Sequence, residues 1–209
     1  VGEATHGALR FRSVEGPLTG PLTVDGLVYE DMHVRVEVEH AELDWNPYAL
    51  VFRQLSVSQL EVSEAKLVVK HTSPDPEQKD AITHLPFAIV VKQGRIGGFE
   101  IVANGVPLLF SGIGLEADWT GDTITVEQLA THYAPLGDLT LQGELRMEPR
   151  QLRIVKAQVG GYGDLQLAGE IGYHNHFSAD ASWKNLRWPQ AGAALFNSPS
   201  GKLSAEGAW

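Results

Sequence analysis

The chain contains no cysteine. That removes disulfide frameworks, zinc ribbons and thiol catalysis together, although it names no compartment. Cations are scarce: 16 Lys and Arg stand against 26 Asp and Glu, a formal net charge of −10. Nucleic acid is therefore not expected as a partner, because phosphate binding needs clustered Lys and Arg. Charge-driven docking on an anionic membrane is disfavoured for the same reason. No stretch approaches the roughly 20 apolar residues that span a bilayer. No apolar period of 3.6 residues persists for any length, which argues against helical bundles and α/β folds.

Catalytic signatures are missing as well. Ser111 lacks the glycine two positions earlier that a nucleophile elbow requires. Gly201-Lys202 has neither the earlier glycine nor the following Ser or Thr of a phosphate loop. Gly160 to Gly163 reads as a turn between strands, with no helix behind it. Carboxylate pairs such as Glu37/Glu39 and Glu61/Glu64 sit on alternating strands, where a solvated surface explains them. His174 and His176 would point the same way on a strand, but a turn accounts for them equally well and no third metal ligand has usual spacing. The expectation is a non-enzymatic protein with no cofactor and no metal.

What is present is alternation. Residues 137–145 read GDLTLQGEL and residues 163–171 read GDLQLAGEI, with a weaker echo at Leu203, Ala205, Gly207 and Trp209. Apolar or small residues take every second place, the period of a strand with one dry and one wet face. The 26-residue shift between the two copies is two strands plus turns, a hairpin repeat. Strands are expected over 8–14, 22–30, 32–45, 54–62, 64–71, 93–103, 106–119, 122–130, 137–148, 151–159, 163–173 and 176–187, with a final strand after 201. Gly97-Gly98, Asn104-Gly105 and Gly121-Asp122 read as hairpin turns. The parity shift at His40-Ala41 predicts a bulge or bend. Asn46-Pro47 predicts a short helix over 48–53. Leu85 to Val91 reads as a buried strand or a short helix, and 188–201 as a loop with a helical turn. The fold class is all-β: an elongated, curled, antiparallel-rich sheet with one or two short helices. Residues 1–71 and 84–209 form two continuous sections joined by a polar loop over 72–83. Val1 is not an initiator Met and Trp209 falls in mid-pattern, so a piece of a longer protein is expected.

Alternating apolar residues ordinarily fill a sandwich core. Here Gly143, Gly169 and Gly207 fall on the apolar face, where a filled core wants side chains and a bending sheet wants none. A groove is expected instead, lined by Val34, Val36, Val38, Leu43, Leu55, Val57, Leu67, Val69, Leu139, Leu141, Leu145, Leu165, Leu167 and Ile171.

Several segments resemble one family: Val14–Tyr29 (VEGPLTGPLTVDGLVY), Ala41–Leu50 (AELDWNPYAL) with Leu55–Val62 (LSVSQLEV), and Trp183–Pro189 (WKNLRWP) with Ser198–Gly207 (SPSGKLSAEG). Their order is similar to the membrane-proximal part of the translocation and assembly module proteins of Gram-negative envelopes. These are the TamB-like proteins, relatives of the AsmA-like bridge lipid transporters. The resemblance implies a β-taco, a long sheet curled into a U around an apolar trough. It implies a periplasmic location, with an inner-membrane anchor before the chain and an outer-membrane barrel partner (TamA-like) reached by a part after it. It implies phospholipid as cargo or, alternatively, handling of outer-membrane protein strands by β-augmentation. A β-solenoid with a filled core remains a further alternative. Open sheet ends also predict edge-to-edge self-association.

Overall fold

The computed structural model describes residues 8–30, 34–70, 87–103, 105–148, 151–172, 176–188 and 195–208. Thirteen strands form one curled, unclosed sheet. They are β1 (Ala8–Arg10), β2 (Ser13–Glu15), β3 (Leu22–Glu30), β4 (Val34–Asn46), β5 (Gln54–Val69), β6 (Ala88–Ala103), β7 (Val106–Thr120), β8 (Thr123–Tyr133), β9 (Gly137–Glu148), β10 (Gln151–Gly160), β11 (Asp164–Gly172), β12 (His176–Trp188) and β13 (Phe196–Ala208). From β3 onward each strand pairs with the next in sequence, while β1 and β2 both pair with β3. All pairs are antiparallel except β5 with β6. A parallel neighbour requires the chain to return to the end it started from. Residues 71–86 lie outside the described residues, so the expected 72–83 loop lies outside them too.

The turns follow local chemistry. Thr120 pairs with Thr123 across a two-residue loop in which Gly121 takes φ 63°, a conformation that costs glycine little. Pro47–Phe52 is a 3-10 turn: Asn46 Oδ1 accepts from the Tyr48 N–H at 3.1 Å, Pro47 opens it, and Arg53 closes it with φ 55°. The helix signal at Asn46-Pro47 is thus realised, in its tighter form.

Other expectations are corrected. The 8–14 strand is two short strands. The strands expected over 54–62 and 64–71 are one strand, β5, bent where pairing lapses beside Ser63. Gly97-Gly98 is no turn but the middle of β6. A Cβ at Gly97 would lie 2.6 Å from the Ser63 carbonyl oxygen, so glycine is there for close strand approach. Ala88–Val91 belongs to β6, and Phe196–Gly201 is strand rather than loop, paired with β12. Asn104 lies outside the described residues.

The described residues form no filled core. Among the described residues only Val57, Ile113, Val126 and Ala157 are buried large or small apolar side chains, and no polar or charged one is buried. All four stand beside places where the ladder slips or pairing lapses: Asp44/Trp45, Ser111/Gly114, Val126/Leu129 and Ile154/Ala157. Each slip inserts a residue, bends the strand and restores the apolar parity beyond the bend.

Candidate functional site

Cross-strand partners share a face, so the register shows which side chains stand together. In the first part of the sheet Val34 faces Val69, Val36 faces Leu67, and Val38 faces Ala65. Leu43 stands between Leu22 and Leu60. Val57 pairs with Trp45 on one side and Val91 on the other, and Leu55 with Ile89. In the later part Leu145 lies between Ile124 and Ile154, and Leu141 between Leu129 and Val159. Leu139 pairs with Thr131. Leu165 lies between Val159 and Trp183, Leu167 between Ala157 and Ala181, and Ile171 between Leu152 and Phe177. The register thus sets thirteen of the fourteen residues expected in the groove beside apolar partners on neighbouring strands, Leu139 being the exception. Val57 is buried at 3 % exposure, Val69 and Ile171 are exposed, and the rest are intermediate.

Between the two groups lies a stretch that sequence reasoning passed over. Ile89, Val91, Ile96, Phe99 and Ile101 on β6 continue the rows into Trp119, Ala117, Ile113, Phe110 and Leu108 on β7. Phe110 stacks on Tyr133 of β8, centroids 5.0 Å apart. The signal was alternation broken by one step: Val106, Leu108, Phe110, then Ile113, Leu115, Ala117. Gly112, with φ 59°, makes that step.

The glycines divide by role. Gly143 lies opposite both Val126 and Ala157, and a Cβ there would sit 2.6 Å from the Lys156 carbonyl oxygen. Gly201 and Gly207 instead lie under the rings of Trp183 and Phe177, which fill the space a side chain would take.

The opposite face is charged. Glu30 accepts from Lys70 at 2.7 Å, and this bond holds its carboxyl below the usual range. Lys66 meets Glu100 at 2.8 Å, and Arg153 reaches Glu148 and Glu170 at 3.2 and 3.7 Å. His40 Nδ1 lies 2.7 Å from Asp25, which also accepts from Ser13 at 3.0 Å; its Nε2 lies 3.4 Å from Glu42. The bond to Asp25 raises the imidazole pKa, and the same bond lowers that of Asp25. Burial raises that of Tyr162. Two open depressions of about 800 and 530 Å³ are lined by apolar and polar residues together, and of the fourteen only Leu167 lines the first and Val38 the second. Each is centred on one cross-strand row, Val126, Gly143, Ala157, Leu167, Ala181 and Leu203 in the first and Leu27, Val38, Ala65, Phe99 and Phe110 in the second.

No three potential metal ligands cluster among the described residues. His176 Nε2 lies 3.9 Å from Glu170, and His174 lies outside those residues. No helix among them is long and apolar enough to cross a membrane. Compared with known families, the chain matches the family described as TamB, N-terminal domain, over residues 3–134. No curated protein matches it. The matched region ends after β8, and the sheet continues for five more strands.

Proposed function

The chain belongs to the TamB N-terminal domain family, and from that premise we propose that its sheet is one section of a lipid-transport bridge between the inner and outer membranes. Membership associates the chain with the translocation and assembly module of the cell envelope. In our reading it works in the periplasm, without enzymatic chemistry. Residues 1–71 and 84–209 are two sections of one conduit, and the inner-membrane anchor and the barrel partner are met by other parts of the protein.

One observation carries the reading: cross-strand apolar rows run from β3 to β12 of an unclosed sheet, and among the described residues no second layer packs on them. Such a face gives acyl chains an apolar lane worth about 0.8 kcal/mol per buried CH₂. The open side leaves a charged headgroup in water, so no ion need be buried. From β3 to β12 nine inter-strand spacings of ~4.8 Å make a lane roughly 43 Å long, a part of an envelope-spanning path.

Mass spectrometry of an organic extract of the detergent-free protein tests this. Phospholipid is expected at stoichiometric level in the wild type and lost in Leu141→Glu, which sets a charge between Leu129 and Val159. A clean extract from a folded wild type, or a variant that keeps its lipid, refutes the assignment of this face. A second reading, handling of outer-membrane protein strands, is favoured by β13: among the described residues it pairs with β12 alone, and an unpaired strand edge can add a strand. Crosslinks from peptide strands to β13, with none from lipid to the apolar face, would favour it.

A further inference from the structure

Three of the five most exposed apolar side chains among the described residues stand together on the 3-10 turn between β4 and β5. Tyr48, Val51 and Phe52 are 76 %, 80 % and 82 % exposed, with Leu50 partly so. Leu18, also exposed, lies in the turn before β3, at the same end of the neighbouring strand. The turn is held at both ends rather than loose. Asn46 caps its start, the Arg53 N–H donates to Leu50 O at 2.9 Å, and the Ala88 N–H donates to Arg53 O at 2.9 Å. Apolar side chains fixed in water at this density mark a contact surface.

Two observations choose the occupant. No Asp or Glu lies between Asp44 and Glu61 in a chain of net charge −10, and Arg53 stands at the end of the turn. The tip is thus a part of the molecule that an anionic or zwitterionic surface does not repel. It is also small: six residues do not supply the roughly 800 Å² per partner of a stable protein interface. A tip bearing Tyr, aliphatic residues, Phe and Arg has the composition that settles at the boundary of headgroups and acyl chains.

We propose that the Pro47–Phe52 turn is a membrane-docking tip that inserts Tyr48, Val51 and Phe52 into the interfacial layer of a lipid bilayer. This docking is independent of what the apolar face of the sheet carries. Because insertion is apolar, binding differs little between neutral and anionic lipid and survives high salt.

The test is flotation of the purified protein with phosphatidylcholine vesicles and with vesicles containing phosphatidylglycerol. Wild type is expected to float with both. Val51→Asp/Phe52→Asp is expected to lose at least about tenfold of its partitioning, since two buried apolar side chains are replaced by charges. Leu109→Asp, at an apolar position 61 % exposed in the first half of β7, should float like wild type. Leu141→Glu should float normally while losing extracted lipid, which separates docking from transport. Absence of wild-type flotation, equal loss in Leu109→Asp, or a tip variant that changes only self-association would overturn the proposal.

Discussion

His40 on β4 sits between Asp25 of β3 and Glu42 of its own strand, and Asp25 in turn holds Ser13 of β2. The site joins the short β2 to the body of the sheet through side chains, since β2 has only three backbone partners, Thr23 to Asp25. A raised imidazole pKa means that the folded chain holds the proton more tightly. That stabilisation is complete below the ordinary value of 6.5 and is lost as pH rises through the folded value. Asp25 has a lowered pKa, so its contribution is present above the ordinary 3.8 and is lost as pH falls through the folded value. The pair is therefore strongest between the two. His40→Gln should melt below wild type near about pH 5.5, with the difference shrinking by about pH 8. A pH-independent difference in melting temperature would show that His40 acts by packing alone. All three side chains are substantially solvated, so the effect is modest.

At the scale of the element, the strands solve a conflict. A straight strand of 16 residues, such as β5, would present a flat face, whereas a curled sheet needs each strand to bend. The bends come from bulges where side chains are large and from glycine where a strand keeps its parity. β5 carries Leu55 and Val57, then Leu60 and Val62, then Ala65, Leu67 and Val69 on the apolar face, shifting parity twice. β9 keeps one parity from Leu139 to Leu145 and passes the bend at Gly143. Gly143→Val would bring Cβ to 2.6 Å from the Lys156 carbonyl oxygen and 3.1 Å from the Ala157 Cα. Backbone cannot yield cheaply there, so a loss of about 1–3 kcal/mol in chemical denaturation is expected. An unchanged midpoint would mean that the β9–β10 bend does not depend on glycine.

On the scale of the whole molecule, stability rests on neighbour-to-neighbour ladders rather than on a shared core. In this it resembles repeat proteins, where each unit touches only the next. The expectation in solution follows: a compact chain of this length would have a radius of gyration of about 17 Å, and small-angle scattering should give a clearly larger value. A value near 17 Å would mean that the curled sheet collapses on itself in water.

Sequence alone determined what local pattern can determine. Alternation in 137–145 and 163–171 placed β9 and β11 and the side on which Leu139, Leu141, Leu165 and Leu167 stand, because a strand of constant parity writes its faces directly into the chain. Asn46-Pro47 wrote its turn in the same way. The strands at 93–103 and 106–119 were legible as strands, but the place of their residues in the apolar rows was not, since a parity shift in mid-strand looks like the end of one strand and the start of another. Gly97-Gly98 looked like a turn for that reason. Only the tertiary structure decided the parallel seam between β5 and β6, which joins residues 34 apart, such as Leu55 with Ile89. It also decided that the bends align across neighbouring strands and that an apolar tip stands clear of the sheet. Those features depend on which backbone lies beside which, and pairing between distant segments leaves no period in the sequence of either one.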